Sequence, residues 1–286
     1  MSSNTLAIGA DIGGTHITAA LVDLETKSII SGSANRLKVD SHAPSDQILA
    51  AWCEAIKSAQ QEFSMQKVSL AMPGPFDYER GICLIKDQDK FENLYGLNIK
   101  ELLAESLNIQ PEDISMLNDA ASFLQGEVFG GAAKGFKTAI GITLGTGLGT
   151  SSYQDQIAHD SNLWNMPFKD GIAEDYLSTR WFIDRFFVLT GQKISGVREL
   201  TTLIGRNPVV NEIFDEFGRN LASFVIEFLK VAPADVIVIG GNISKSFNFF
   251  KAAFFDIRHK HFPDVVIRTA TLGEEAALMG AASFWK

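Results

Sequence analysis

Apolar positions along the chain fall into short runs punctuated by glycine and proline. Residues 5–12 (TLAIGADI) and 16–23 (HITAALVD) are two such runs around Gly13, Gly14 and Thr15. The second alternates apolar and polar, so the pair predicts an antiparallel hairpin. Over residues 45–63, Ile48, Leu49, Trp52, Ile56 and Ala59 recur three and four apart, which predicts an amphipathic helix capped at Ser45 or Asp46. A strand over 67–75 is stopped by Pro-Gly-Pro, a helix follows over 99–108, and a strand over 113–119 runs straight into a helix opening at Ala120. Further on, the pattern predicts a second hairpin over 137–155, a long helix over 214–232, a strand over 235–241 and a terminal helix over 273–285. Strands alternating with helices make the fold class α/β.

One repeat stands out in this pattern. Residues 7–13 (AIGADIG) match 139–145 (AIGITLG) at a fixed offset of 132, as from Asp11 to Thr143. In both copies an apolar strand reaches a polar residue, turns on glycine and returns as a strand, which reads as a duplication. Glycine in such a turn permits positive φ and close backbone approach, so successive N–H groups can face anionic oxygens. The same pattern also describes an ordinary tight turn. Asp11, with Thr15 and Thr146 beside the two turns, favours a polyphosphate held by both copies. GTGLGT at 145–150 is G-x-G-x-G leading into a strand, so it lacks the spacing and following helix of a dinucleotide fingerprint. No G-x-x-x-x-G-K-[ST] occurs.

Composition narrows the partners. At 286 residues and 46% hydrophobic content the chain can bury more core than one compact domain needs, so two lobes are expected. A formal net charge of −9, without a basic stripe, repels a phosphate backbone and argues against nucleic acid. The opening residues lack a basic stretch before the apolar run, and no uncharged segment approaches a bilayer span, so no membrane and a cytoplasmic location are expected. Cys53 and Cys83 are far apart with no Cys or His at metal-ligand spacing, which fits a reduced compartment.

DIGGTHI, PGPFD, ENLYGLNI, LNDAASFLQGE, LGTGLG, IVIGGNIS and LGEEAALMGAA, in that order between about residues 7 and 282, resemble the motifs of ROK-family sugar kinases, relatives of bacterial glucokinase. The resemblance implies a two-lobed actin-like ATPase fold, a duplicated ribonuclease-H-like design with a cleft where nucleotide and sugar meet. The lobes are expected at 1–117 and 118–286, with the helix after Gly273 packing back across that boundary. It implies ATP and Mg²⁺ as cofactors, with Asp11 on the metal, Gly13, Gly14 and Thr15 as first phosphate loop, and Gly145, Thr146 and Gly147 as second. Gly240, Gly241 and Asn242 match the adenosine side. Asp119 matches the catalytic base, and Asn93, Asn118, Asp119 and Glu174 match sugar-contacting positions. A carboxylate at a strand end where a helix begins is rigidly held and favoured as an anion by the helix dipole. Because phosphoryl transfer runs through a loose transition state, an Asp of ordinary pKa suffices there. Each residue also has a plainer role open to it: Asn118 and Asp119 as a helix cap, Asn93 as a turn residue, Glu174 as a first-turn carboxylate. His16 reads as a surface residue of its strand.

The chain departs from the family where substrate is read. The usual Glu-x-Gly-His element and the cysteine cluster that completes a zinc site are missing from residues 158–178 (AHDSNLWNMPFKDGIAEDYLS), so no zinc is expected. His159, Asp160 or Asn162 can substitute, and Trp164 and Phe168 are open either to a sugar face or to the core. The expected reaction is transfer of the γ-phosphoryl group to a hexose hydroxyl, glucokinase-like. An N-acetylmannosamine, N-acetylglucosamine or fructose kinase and a silent sugar sensor are the alternatives. With ten residues before Asp11, a DNA-binding helix-turn-helix is not expected, and a homodimer is compatible with the sequence.

Overall fold

The computed structural model describes residues 5–63, 67–87 and 90–286, so the reading of a missing secretion signal rests partly on residues 1–4, outside this range. In chain order the first elements are β1 (Leu6–Ile12), β2 (His16–Asp23), β3 (Ser28–Ile29), β4 (Asn35–Lys38), α1 (Ser45–Gln60), β5 (Val68–Met72), β6 (Phe76–Asp77), β7 (Ile82–Cys83), α2 (Ile99–Leu107), β8 (Ile114–Asn118) and α3 (Asp119–Phe129). After them come β9 (Ala139–Leu144), β10 (Leu148–Gln154), β11 (Ile157–Asp160), β12 (Pro167–Phe168), β13 (Gly171–Ile172), α4 (Ala173–Tyr176), α5 (Thr179–Thr190), α6 (Val197–Thr201), α7 (Pro208–Val231), β14 (Val236–Gly240), α8 (Phe247–His261), β15 (Val266–Thr269) and α9 (Glu275–Ala282).

The chain forms two compact units, one running to Lys134 and taking in Glu274–Lys286, the other Gly135–Gly273. The division expected at 117/118 thus differs from the observed one by the whole of α3. The cause is packing: a Cβ on Gly126 of α3 would run into the Ala276 carbonyl of α9, and one on Gly280 of α9 into the Ser122 carbonyl of α3. Two backbones this close bind α3 and α9 into one unit. Gly9 of β1 likewise leaves no space under the Leu278 carbonyl.

Each unit is built on a sheet of the same order. The first is β3-β2-β1-β5-β8 with β4 beside β2, and the second is β11-β10-β9-β14-β15. In both, an antiparallel hairpin is followed by two strands added in parallel. The copies differ by one residue at the turn. Ile12 pairs with Ile17 across four intervening residues, whereas Leu144 pairs with Leu148 across three.

The cores differ in kind. The first gathers aliphatic strand residues around Trp52 and Phe91, while the second is built on Phe182, Phe186, Phe214, Phe217, Phe224 and other rings. Helix α1 starts at Ser45 as expected, but no side chain caps it. Pro44 precedes it, and the Pro44 carbonyl takes the N–H groups of Gln47 and Ile48. Helix α7 begins at Pro208, ahead of the expected residue 214, because Asn207 caps the Val209 N–H (3.1 Å) and proline suits the first turn.

Candidate functional site

In the first unit, three parallel strands end side by side. Asp11 of β1 is in register with Ala71 of β5, which is in register with Leu117 of β8, and on the other flank Asp11 pairs with Thr18, itself paired with Arg36 of β4. Residues in register share a face, so Asp11, Thr18 and Arg36 form one row. Asp11 is partly buried, and its pKa is pushed up to about 6 by that burial and by the negative charges of Asp119 and Glu274, against the opposing pull of Arg36. Arg36 Nη1 meets Glu274 Oε2 at 3.3 Å. Neither Arg36 nor Glu274 stands out in the sequence as a site residue. Arg36 lies on a four-residue strand, and only the sheet register brings it to Asp11.

The turn after Asp11 is closed by the Gly13 N–H donating to the His16 carbonyl (2.9 Å), and Thr15 Oγ1 lies 2.9 Å from His16 Nδ1. The expectation of positive φ at these glycines is corrected: none of Gly13, Gly14, Gly145 and Gly147 adopts it. The four-residue and three-residue links turn the strands within ordinary backbone space. A Cβ at Gly13 or Gly14 would make only van der Waals contact, and one at Gly145 would meet nothing within 4 Å. The fold therefore does not itself demand glycine at these three positions.

Asn118 and Asp119 sit where β8 passes into α3. The Asn118 side chain accepts from the N–H groups of Ala120 (2.8 Å) and Ala121 (3.2 Å), so it is the helix cap. Its Nδ2 faces the Tyr78 hydroxyl at 3.3 Å, and that hydroxyl donates to the Met72 carbonyl at 3.1 Å, which clips the ends of β5 and β8 together. Asp119 is exposed, and its Oδ1 accepts from the Ala120 N–H at 2.9 Å. Asn93 lies in a single 3-10 turn (Glu92–Leu94), where its amide nitrogen donates to the carbonyls of His42 (3.0 Å) and Ala43 (2.9 Å). That turn starts from Phe91, held left-handed at φ 56° and fully buried against Trp52.

In the second unit, the Gly145 N–H donates to the Gly147 carbonyl (3.0 Å), and Thr146 at the tip is exposed. Glu174 of α4 holds this turn: its Oε2 accepts from the Leu148 N–H (3.0 Å), and a Cβ on Gly147 would come within 2.6 Å of that oxygen. Thr179 adds a second tie, with backbone N–H and Oγ1 both donating to the Gly145 carbonyl at 2.8 Å. Gly240 ends β14 opposite Thr143 of β9. At Gly241, φ is 80° and a Cβ would strike the Leu144 backbone, so glycine is required there and sets this loop against the 145–147 turn. Asn242 Oδ1 accepts from Lys245 Nζ at 2.9 Å. The structure thus brings Gly145, Thr146, Gly147, Gly240, Gly241, Asn242 and Glu174 together at one end of the second sheet. It places Asp11, Gly13, Gly14, Thr15, Asn118 and Asp119 at the strand ends of the first. Phe168 belongs to the core, edge-on to Tyr176 and Phe224, whereas Trp164 is exposed.

Two glycine-turned hairpin sheets of one topology, each with its polar residues at the strand ends, define the actin-like ATPase fold. The ROK family pattern matches residues 7–161 and 170–286, and the chain belongs to that family. Among curated relatives it is similar to an N-acetylgalactosamine kinase of Shewanella sp. (strain ANA-3), 22% identical over 96% of this chain and 94% of the relative. Among solved structures it is similar to a ROK hexokinase from Thermus thermophilus (TM-score 0.82, 21% identity, 97% of each chain). It is also similar to a ROK glucokinase from Streptomyces griseus in complex with glucose and AMPPNP (TM-score 0.76, 21% identity, 98% of each chain).

Proposed function

We propose that the protein is an ATP- and Mg²⁺-dependent sugar kinase that transfers the γ-phosphoryl group to a hydroxyl of a hexose or N-acetylhexosamine, most simply glucose. The observation that carries this reading is Asp119: an exposed carboxylate at the first position of α3, at the end of a parallel strand and within electrostatic reach of Asp11. A carboxylate so placed accepts a hydrogen bond, and then the proton, from an attacking sugar hydroxyl. Asn118 fixes the helix start and with it the position of that base. Positioning is what matters in phosphoryl transfer, where the protein does little covalent chemistry.

Asp11 fits a hard divalent cation. Its carboxylate is crowded by two further negative charges, a conflict that a cation relieves. Among the described residues no cluster of three or more His, Cys, Asp or Glu side chains could ligate a metal by itself. That donor set suits Mg²⁺, which takes one or two carboxylates and completes its shell with phosphate and water. When bound, the ion neutralises charge on the β- and γ-phosphate oxygens. With the Gly13 and Gly145 N–H groups closing their own turns, the backbone N–H groups of Gly14, Thr15, Thr146 and Gly147 are the phosphate donors in this reading, and Gly240–Asn242 takes the adenosine.

A silent sugar sensor is the second reading. It is favoured by one observation: the Asn93 amide and the Glu174 carboxylate are already committed to backbone partners. The experiment that separates them is ADP release over glucose, mannose, fructose, N-acetylglucosamine and N-acetylmannosamine. The kinase reading expects at least one sugar to stimulate turnover well above an Asp119→Ala background, and stimulation by none of them leaves the sensor.

A further inference from the structure

The family match breaks off at residue 161 and resumes at 170, which leaves a short segment outside it. It is nevertheless firmly held. The Leu163 N–H donates to Thr150 Oγ1 (2.9 Å), the Ala173 N–H to the Met166 carbonyl (2.9 Å), and the Glu174 N–H to the Trp164 carbonyl (2.9 Å). Trp164 is 41% exposed, while Trp52 and Trp181 are buried. Its indole N–H donates to Asn162 Oδ1 (2.8 Å), which satisfies the ring's one polar group within the loop and fixes its orientation. What the ring offers outward is an apolar face.

We infer that Trp164 is a sugar-binding platform, a specificity-determining residue that takes the apolar surface of the sugar acceptor: the C–H face of a pyranose ring or the methyl of an N-acetyl group. The inference rests on the kinase reading for the identity of the site. Its support is position. The Trp164 backbone is bonded to Glu174, and the Glu174 carboxylate is bonded to Leu148, the residue directly after the 145–147 turn. Two hydrogen bonds therefore tie the Trp164 backbone to the turn proposed for the phosphates, and the acceptor of a phosphoryl group must lie beside those phosphates. An exposed aromatic face is suited to a sugar, which presents C–H groups on one side and hydroxyls at its edge.

The test has two arms. Titrating glucose and N-acetylglucosamine against the unmodified protein is expected to change tryptophan fluorescence saturably, and Trp164→Phe is expected to abolish the change. A response to both sugars assigns the ring face, and a response to the N-acetyl sugar alone assigns the methyl. In turnover assays, Trp164→Ala is expected to raise the sugar KM by roughly tenfold with the ATP KM unchanged, and Trp164→Phe to keep most of the affinity. Fluorescence that no sugar in the panel alters overturns the platform, whatever the turnover. Sugar-stimulated turnover with the same sugar KM in Trp164→Ala overturns the platform and leaves the kinase reading standing. Sugar-dependent fluorescence without turnover does the reverse.

Discussion

Asp11 shows how a residue's chemistry depends on neighbours that the sequence does not set beside it. Its carboxylate titrates near 6 because burial, Asp119 and Glu274 all disfavour the anion. In metal-free protein the native state therefore holds this proton where the unfolded chain, with an ordinary value of 3.8, has lost it. The stability Asp11 contributes is complete below that unfolded value and is lost as pH rises through about 6. Relative to Asp11→Asn, the metal-free protein is expected to lose up to about 3 kcal/mol of unfolding free energy between pH 4 and pH 8, measured by denaturant titration. Parallel pH profiles for the two proteins would show that Asp11 carries no such conflict. Asp11 and Asp119 were legible in the sequence because each follows an apolar strand at a turn or helix start. Arg36 was not, since its place in the same row as Asp11, one strand beyond Thr18, depends on the register of β4 on β2. The grip of Glu174 on the second turn was equally hidden, because 26 residues separate it from Leu148.

Among elements, the ones read correctly from sequence are those with clean periodicity. The β1–β2 and β9–β10 hairpins, α1, α2 and β14 all fall where alternation or three-and-four spacing puts them. Helices α5 and α8 leave no such signal in the sequence. Both carry aromatic residues on more than one face, in TRWFIDRFFVLT and FNFFKAAFFDIRHKH, so no polar stripe marks a period. The glycines divide into two kinds that composition cannot separate. Gly126 and Gly280 are required by packing, while a Cβ at Gly13 would make only ordinary van der Waals contact and one at Gly145 would meet nothing within 4 Å. Gly280→Ala is expected to destabilise the protein by about 1–3 kcal/mol or prevent folding, because the new methyl meets the Ser122 backbone. Gly13→Val and Gly145→Val are expected to fold normally yet each weaken ATP binding in calorimetry, since a branched side chain there blocks approach of the phosphates. Unchanged ATP affinity in either variant would remove that turn from the nucleotide site.

At the scale of the molecule, the duplication seen as AIGADIG and AIGITLG extends to two whole sheets of one strand order. The fold class was legible because a repeated hairpin followed by strands and helices leaves few topologies open. The place of α3 was not, because its attachment to α9 spans some 150 residues of chain and depends on backbone contact at glycine. Among the described residues no helix is long and apolar enough to cross a membrane. The proposed role of Asp119 requires that a sugar hydroxyl be the phosphoryl acceptor. The most direct measurement follows phosphorylated sugar by mass spectrometry in the unmodified protein and in Asp119→Ala, with ATP affinity measured on both. Phosphorylated sugar that falls at least about a hundredfold in rate in the variant, with ATP affinity preserved, is the predicted result. An Asp119→Ala protein that phosphorylates sugar at the unmodified rate would contradict the account.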